Sequence, residues 1–430
     1  MSQNDTMQGN MAQGNMAQGD MVRIEALGHR GDGIGRRDGE TVHVPFTLPG
    51  EKVAVCGKGP RPALERVIEA SAARVEPACR HFGACGGCQL QHMEADAYRL
   101  WKTGLLRQAL EREGLDCVIE PIRHYPVAAR RRAVLSARLE HGGWRLGYTE
   151  RASHHLVDID ACPILVPALQ QALAPLRDLL RLLQGHGIGA KSDVRITLLA
   201  AKNGIDCALS FRGRVSDRLV RDTARHAGAQ AFIRVSYNGE VVFETERPLL
   251  PAGLAFVTPP PEGFVQAAAD AEADMASLMG DHLSGSKRVA DLFSGFGTFA
   301  LRLAERSIVH AADSEAPALA ALDRAWRETG GRLKQLTSEK RDLFRAPMMA
   351  RELKPCDSAV FDPPRAGAEA QCRQLAISGV RRIAAVSCNP QTLARDLRIL
   401  LEGGYRIAGI TPIDQFAFSP HLEAVALLER

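Results

Sequence analysis

One cysteine near the end of a predicted strand could act as a nucleophile. Cys388 stands in the sequence Ser387-Cys-Asn-Pro, directly after an apolar run. A thiolate is a strong nucleophile and a good leaving group, so it could add to C6 of a pyrimidine ring and make C5 nucleophilic. A base would then have to remove the C5 proton, and Glu423 in His421-Leu-Glu423 is a candidate. Taken alone, Cys388 would more often be a buried structural cysteine, and Glu423 a surface charge.

A second group of cysteines has the spacing of metal ligands. The compact group contains Cys79, Cys85 and Cys88. Two glycines separate the last pair, so the backbone can wrap closely and direct N–H groups at sulfur. Cys162 is the leading candidate for a fourth ligand, ahead of Cys56 and Cys117. Four thiolates could hold a 4Fe–4S cluster or a zinc ion. Structural zinc more often uses two Cys-x2-Cys pairs, so the spacing favours the cluster, with zinc and unmetallated thiols as alternatives.

A glycine loop follows a predicted strand and opens a predicted helix. It reads Asp291-Leu-Phe-Ser-Gly-Phe-Gly-Thr298. Glycines allow a tight turn and a close approach of the backbone to a ligand, and a helix N-terminus favours a carboxylate. Asp313 ends the next predicted strand, at a spacing that suits hydrogen bonds to ribose hydroxyls. The third glycine of the dinucleotide fingerprint is missing, which favours S-adenosylmethionine over NAD. A strand–turn–helix without a ligand is the plain alternative.

A rigid turn follows another predicted strand. Asp362 is followed by Pro363, Pro364 and Arg365, and tandem prolines cannot continue a strand ladder. They would hold the Asp362 carboxylate at the carboxyl edge of the sheet, where ligands of open α/β sheets bind. From there the carboxylate could accept a hydrogen bond from the edge of a base. Asp-Pro-Pro also occurs as a plain turn.

These motifs require alternating strands and helices in the last part of the chain. We predict strands at residues 287–293, 308–312, 358–361 and 383–387, and helices at 298–305 and 316–328. This is the βαβ pattern of an open, mostly parallel sheet. Such a sheet would place Gly295, Asp362 and Cys388 on one rim.

The upstream chain divides into further predicted segments. The polar, glycine-rich repeat in residues 1–20 predicts a disordered tail. Residues 21–72, with short strands at 22–27, 41–45 and 50–56 and glycine turns between them, predict an OB-like β-barrel. Residues 73–258 mix strands with helices at 98–113, 166–183 and 215–227. Pro259-Pro-Pro261 marks the boundary to the last domain, 259–430.

Composition limits the classes of function. The net charge is only +4, which is compatible with nucleic-acid binding without showing it. Four arginines are concentrated in one stretch: Arg130, Arg131, Arg132 and Arg138. They predict either phosphate contacts or a solvated strand edge. The chain has no apolar run long enough to cross a bilayer and no export signal. We therefore expect a cytoplasmic monomer with reduced thiols, a partner RNA and no membrane partner.

Together these motifs resemble the class I RNA uridine-C5 methyltransferases, in the branch with a TRAM domain and an iron–sulfur cluster. The residues that carry the resemblance are Gly31-Asp-Gly-Ile-Gly with Val42–Glu51, Cys85-Gly-Gly-Cys88, the loop from Asp291, Asp362-Pro-Pro-Arg-Ala-Gly and Ser387-Cys-Asn-Pro-Gln-Thr-Leu. The branch includes bacterial 23S rRNA methyltransferases. The resemblance implies an α/β fold with a Rossmann-like, seven-stranded methyltransferase domain. An OB-like TRAM barrel would precede it, with a central α+β domain that carries the cluster.

The resemblance also implies roles for individual residues. Cys388 would be the nucleophile and Glu423 the base. The cluster ligands would be Cys79, Cys85, Cys88 and Cys162. S-adenosylmethionine would contact Gln266, Phe293, Thr298, Asp313, Asp342 and Asp362.

The chain departs from the family pattern at three places. The family shows Gln-x-Asn where this chain reads Gln266-Ala-Ala-Ala-Asp270, so Gln266 matches but the asparagine does not, and Asp313 stands where the family usually shows Glu. The stretch at residues 414–420 also differs, although His421-Leu-Glu423 matches the family's His-x-Glu, which leaves local substrate contacts open.

Other functions are compatible with the same motifs. A tRNA uridine-C5 methyltransferase is one alternative to rRNA, which we favour. An exocyclic-amine methyltransferase would need an aromatic residue where Arg365 stands. An RNA-binding module or electron carrier with an inactive methyltransferase domain would not need Cys388, Asp362 and Glu423.

Overall fold

The computed structural model describes residues 21–189, 192–228 and 232–430. The repeat in residues 1–20, predicted to be disordered, lies outside the described residues. The chain divides into two compact units. One contains the chain up to Glu76 together with His92–Glu94, and the other contains Pro77–Gln91 and Ala95–Arg430.

The first unit is a small antiparallel β domain. Its strands are β1 (Met21–Leu27), β2 (Gly33–Arg37), β3 (Glu40–Val44), β4 (Lys52–Cys56) and β5 (Ala63–Glu69), in the order β3-β2-β1-β4-β5. Alternate apolar residues such as Val22, Ile24 and Val53 form its core, as the period of a strand requires. The glycine-rich stretch predicted as turns contains β2. A Cβ on Gly35 would lie 2.4 Å from the carbonyl oxygen of Arg23, so this strand needs glycine to pair closely with β1.

The second unit begins with a long helix and a mixed sheet. Its first elements are α1 (Ala95–Arg112), β6 (Arg123–His124), β7 (Arg132–Glu140), β8 (Gly143–Thr149), β9 (Leu156–Asp158), α2 (Pro167–Gln171), α3 (Leu173–Gly185), β10 (Val194–Ala201), β11 (Gly204–Ser210), α4 (Asp217–Gly228), β12 (Phe232–Tyr237), β13 (Glu240–Glu244), β14 (Leu250–Ala252) and β15 (Ala255–Val257). The sheet order is β13-β12-β11-β10-β7-β8-β9. The leucines of α3, at helical spacing, pack against it.

The last part of the chain forms the α/β domain that the motifs predicted. Its elements are α5 (Ala269–His282), β16 (Arg288–Leu292), α6 (Ala300–Leu303), β17 (Ile308–Asp313), α7 (Ala316–Glu328), β18 (Leu336–Lys340), β19 (Ser358–Phe361), α8 (Glu369–Ala376), β20 (Arg382–Ser387), α9 (Pro390–Glu402), β21 (Arg406–Asp414) and β22 (Glu423–Glu429). The strand order is β18-β17-β16-β19-β20-β22-β21, and β6 adds to the outer edge of β21. The order without β6 is the seven-stranded sheet that was expected.

Strand direction in this sheet decides where the motifs meet. Strands β16 to β20 run parallel, so their carboxyl ends lie at one edge. Strand β22 runs antiparallel to β20 and β21, so it begins at that same edge. Its first residue, Glu423, lies next to Ala424, which pairs with Ser387 at the end of β20. Cys388 and Glu423, the predicted catalytic pair, therefore both lie at this edge of the sheet.

Two predicted helices differ from those observed. The helix predicted at 298–305 is only α6, because the residues before Ala300 form the turns of the glycine loop. The helix predicted at 166–183 is divided at Ala172 into α2 and α3. Within the described ranges, no helix combines the length and apolar composition needed to cross a membrane.

Candidate active site

Cys388 lies between β20 and α9, and its loop is tied to the Asp-Pro-Pro turn. Asn389 caps α9 by accepting a hydrogen bond from the backbone N–H of Gln391 at 3.1 Å. The side-chain Nδ2 of Asn389 also donates to the carbonyl oxygen of Arg365 at 3.1 Å. Asn389 thus helps to fix the Cys388 loop against the turn that carries Asp362, together with Thr392, which donates to the same carbonyl oxygen at 3.3 Å.

The Cys388 thiol is surrounded by acidic groups. Burial, followed by the charges of Glu423 and Asp362, raises its pKa to about 11, and the Arg365 guanidinium opposes this rise. A thiol in this setting stays protonated at neutral pH until substrate binding or proton transfer changes its surroundings.

A chain of hydrogen bonds joins the two carboxyl groups. Gln266 donates from Nε2 to Asp362 Oδ2 at 3.0 Å. Gln415 donates from its own Nε2 to Gln266 Oε1 at 2.7 Å and to Glu423 Oε2 at 2.9 Å. Burial, and then the charge of Asp362, raises the pKa of Glu423, while the Gln415 hydrogen bond lowers it. Burial likewise raises the pKa of Asp362, while the hydrogen bond from Gln266 lowers it.

The glycine loop has the geometry of a ligand cradle. Gly295 and Gly297 both have positive φ angles, +55° and +89°, which other residues rarely adopt. The space beside Gly295 is open, whereas a Cβ on Gly297 would lie 2.2 Å from Leu322. Gly297 therefore lets the loop pack on α7 while Gly295 leaves room for a ligand. Thr298 lies in the turn that leads into α6.

The residues predicted to bind the cofactor come from neighbouring strand ends. Asp313 accepts hydrogen bonds from the backbone N–H groups of Gly295 at 2.8 Å and Glu315 at 2.9 Å. Asp342 accepts one from Phe344 at 3.0 Å. The rings of Phe293 and Phe344 lie 5.3 Å apart, centre to centre. Phe344 was not predicted, because an exposed aromatic residue in a loop carries no sequence pattern.

Family comparisons agree with this geometry. The family model described as tRNA (uracil-5-)-methyltransferase matches residues 258–430, and the TRAM domain model matches residues 21–56. An RNA methyltransferase of Mesorhizobium japonicum is 46% identical, over 95% of this chain and 97% of that protein. This chain belongs to the RNA uracil-C5 methyltransferase family. It is therefore an enzyme, and its family uses S-adenosylmethionine.

Two other relatives of this methyltransferase are informative. The 23S rRNA (uracil(1939)-C(5))-methyltransferase RlmD of Halomonas elongata is 34% identical, over 94% of this chain and 88% of that protein. The crystal structure of Pyrococcus abyssi tRNA (uracil-54, C5)-methyltransferase, in complex with S-adenosyl-L-homocysteine, has a TM-score of 0.74 at 23% identity. The structural alignment covers 96% of this chain and 100% of the archaeal chain, which shows that the two proteins share a fold.

The four predicted cluster cysteines of this methyltransferase line one cavity. They are Cys79, Cys85, Cys88 and Cys162. The backbone N–H of Gly87 points at the sulfur of Cys85, 3.5 Å away, as the glycine spacing predicted. A Cβ on Gly86 would lie 2.6 Å from the carbonyl oxygen of Thr149, so the loop approaches β8 closely.

The four cysteine side chains do not form a metal-binding group in the described part of the structure. The part of the chain that is described contains no group of three or more His, Cys, Asp or Glu side chains arranged to hold a metal ion. A zinc ion would need four ligands at about 2.0–2.3 Å from one centre. Burial raises the pKa of Cys88 to about 11 and that of Cys162 to about 12. Four cysteine thiols around one cavity are a donor set that an iron–sulfur cluster or a zinc ion could use once the thiols are deprotonated.

The arginine-rich stretch of this methyltransferase is mostly occupied by internal contacts. Arg131 is buried, donates to the Gln266 carbonyl oxygen at 3.1 Å and pairs with Glu272 at 2.5 Å. Arg132 donates to backbone oxygens at 262 and 263, and Arg138 pairs with Asp193. These internal contacts favour a structural role for the three arginines over phosphate contact. Arg130 lies over the ring of Phe416, with its guanidinium carbon 5.8 Å from the ring centre.

The segment before Glu423 is fixed from two directions. Lys102 of α1 pairs with Asp414 and donates to the Phe416 carbonyl oxygen at 3.0 Å. The backbone N–H groups of Gln89 and Leu90, directly after Cys88, donate to the Phe418 carbonyl oxygen at 2.8 and 3.1 Å. The stretch that departs from the family pattern is thus linked to the cysteine loop. Sequence patterns gave no signal for these contacts.

Proposed function

We propose that this enzyme forms 5-methyluridine in 23S rRNA, with Cys388 as nucleophile and Glu423 as base. The observation that carries the proposal is the convergence of Cys388, Asp362 and Glu423 at one rim of the sheet, beside the glycine loop. The choice of rRNA is supported by the substrate named for the Halomonas elongata relative. The likeness to the archaeal tRNA enzyme supports the fold alone.

The proposed reaction divides the work among these side chains. The Cys388 thiolate adds to C6 of uracil, and the electron pair moves to C5 and O4. S-adenosylmethionine would supply the methyl group that C5 takes up and would leave as S-adenosylhomocysteine. Glu423 then removes the C5 proton, the electron pair returns to the C5–C6 bond, and the C6–S bond breaks to restore the thiolate. The Asp362 carboxyl accepts a hydrogen bond from the uracil ring and so holds the substrate in the site.

The cofactor residues have corresponding roles in the proposal. Asp313 would receive the ribose hydroxyls, while Phe293 and Phe344 would flank the adenine. Gln266, Thr298 and Asp342 would complete the cofactor site. Asp313 and Asp342 lie at or just after the ends of neighbouring strands, and Gln266 is linked to this edge by its hydrogen bond to Asp362, which supports this assignment.

We assign the cysteine cavity to a 4Fe–4S cluster held by Cys79, Cys85, Cys88 and Cys162. The cluster would supply a structural crosslink between the 79–88 loop and Cys162. Residues 73–258 would position RNA together with the TRAM domain at residues 21–56. No reaction step passes through the cluster.

The nucleophile is tested with RNA that carries 5-fluorouridine at the target. Fluorine cannot leave as a cation, so the methylated adduct should persist as a covalent complex on a denaturing gel. Cys388→Ala should abolish the complex while S-adenosylmethionine still binds in calorimetry. An exocyclic-amine methyltransferase would keep its activity in this variant. Persistence of the complex without Cys388 would refute the mechanism.

The RNA class is tested by mapping 5-methyluridine in a strain that lacks the gene. We expect one position in 23S rRNA to lose its methyl group and tRNA to be unchanged. Loss in tRNA alone would support the second candidate, a tRNA uridine-C5 methyltransferase.

A further inference from the structure

Gln415 occupies a buried position between the two carboxyl groups of the site. Its side chain is almost inaccessible, and it lies in the stretch where the chain departs from the family pattern. Its Oε1 accepts a hydrogen bond from the backbone N–H of Ala267 at 2.9 Å. Its Nε2 donates at 2.7 Å to Gln266 and at 2.9 Å to Glu423. An amide nitrogen has two N–H groups, so both are used.

The backbone contact determines which way the amide faces. If the Gln415 amide turned over, its N–H groups would face the Ala267 N–H, and its oxygen would face the Glu423 carboxylate. Both contacts would be repulsive, so the observed orientation is the one that satisfies every partner. The same reasoning extends to Gln266, whose Oε1 accepts from Gln415 while its Nε2 donates to Asp362.

The donor from Gln415 acts on the charged form of Glu423. A hydrogen bond donated to a carboxylate stabilises its ionised form, which is the form that can accept a proton. Burial and the nearby Asp362 oppose ionisation of Glu423, and Cys388 also faces it. The hydrogen bond from the Gln415 amide, 2.9 Å long, favours the ionised carboxylate.

We propose that Gln415 is a positioning residue for the base: it holds Glu423 in its proton-accepting form and, through Gln266, sets the orientation of the hydrogen bond to Asp362. This inference rests on the proposed role of Glu423 as the base. It assigns a function to the first residue of the divergent stretch after Asp414.

The test is the pH profile of adduct release in the Gln415→Met variant. Methionine has nearly the same length and shape but no N–H donor. With uridine RNA, we expect the covalent intermediate to accumulate and its release at neutral pH to fall about tenfold. Because the base would ionise only at higher pH, the rate should approach that of the unaltered enzyme in alkaline buffer.

Gln371→Met provides a matched control. Gln371 is also buried, accepts from the backbone N–H of Met348 at 2.8 Å and donates to its carbonyl oxygen at 3.0 Å. This variant loses an equivalent pair of hydrogen bonds away from the rim, so its pH profile should keep its midpoint. An equal loss at every pH in Gln415→Met, or the same profile in both variants, would overturn the proposal.

Two further variants separate the possible failures. If Gln415→Met does not bind S-adenosylmethionine and is therefore misfolded, Gln415→Asn keeps the amide but is one methylene too short. It should shift the profile in the same direction, and an unchanged midpoint would count against the proposal. Glu423→Gln should accumulate the adduct at every pH. If Glu423→Gln does not accumulate the adduct, the proposed function itself is refuted. If Glu423→Gln accumulates the adduct but the Gln415 variants have no effect, only the present inference is refuted.

Discussion

Lys102 of α1 and Asp414 at the end of β21 form an ion pair in which both side chains are buried. Burial lowers the pKa of Lys102 to about 8, and the Asp414 carboxylate opposes this shift. Removing one partner of a buried pair leaves the other charge without compensation. We expect Lys102→Met to lower the free energy of unfolding by about 3–5 kcal/mol in urea titrations. The double variant Lys102→Met, Asp414→Leu should recover most of the lost stability. A double variant as unstable as Lys102→Met alone would contradict the argument.

The reactivity of Cys388 should depend steeply on pH. Its pKa of about 11, raised by burial and then by Glu423 and Asp362, means that the thiolate fraction grows as the pH rises. Alkylation by iodoacetamide, followed by peptide mass spectrometry, should accelerate about tenfold for each pH unit up to that pKa.

Arg365→Gln should make this alkylation slower than in the unaltered enzyme at the same pH. The Arg365 guanidinium lowers the pKa of Cys388, so its loss should reduce the thiolate fraction. The peptide of the exposed Cys56 provides the internal reference for reagent quality. A rate that becomes constant near neutral pH would show that the thiol is already ionised.

Glu423→Gln should separate methyl transfer from release. The amide cannot accept the C5 proton, so release should slow by about 10²- to 10⁴-fold while adduct formation continues. Radioactive methyl groups should then remain with the protein on denaturing gels. Glu429→Gln, in the same strand β22 but at its other end, should release product normally. Rapid release by Glu423→Gln would assign the base to another residue.

Asp313 should contribute to cofactor affinity through two backbone contacts. Asp313→Ala removes the acceptors for Gly295 and Glu315, so S-adenosylmethionine should bind about ten- to a hundredfold more weakly in calorimetry. Asp357 offers a matched control, since it also accepts from two backbone N–H groups, those of Lys287 and Arg288, at the amino end of β16. Equal losses of affinity in Asp313→Ala and Asp357→Ala would indicate a general effect on folding.

Removal of the proposed cluster should impair RNA binding and the proton removal proposed for Glu423 more than it impairs binding of S-adenosylmethionine. Cys85→Ser should lower the iron content and loosen the loop whose Gln89 and Leu90 contact Phe418. We expect weaker RNA binding and slower product release, with S-adenosylmethionine affinity unchanged. Cys117→Ser, away from the cavity, should retain its iron. Full activity of an iron-free Cys85→Ser protein would contradict this linkage.

The sequence allowed the sheet and its rim to be predicted, because the signals there are local. Helix α7 and strand β19 occupy the predicted residues 316–328 and 358–361, since apolar periodicity and flanking turns define them. Strand β2 was missed because its glycines are needed for close pairing with β1, which the sequence cannot distinguish from turns. The short α6 was overestimated because the glycine loop uses its first residues.

The remaining site residues could not be predicted, because their roles arise from distant contacts. Gln415 meets Gln266 across 149 residues of chain, and Lys102 meets Asp414 across 312. The density of arginines at 130–132 predicted either phosphate contacts or a solvated strand edge, whereas Arg131 is buried and bonded inside the protein. Propensity and spacing report the neighbours of a residue along the chain, not those that folding brings to it.

The position of β22 has a consequence for biosynthesis. This strand is made after β20 and β21 but lies between them. During translation, the glycine loop and the Cys388 strand emerge while the place beside β20 is still vacant. The proposed nucleophile, Cys388, is therefore made before the proposed base, and Glu423 is placed beside it only when β22 joins the sheet. We expect the nascent chain to acquire chemical competence in the same event that completes its fold.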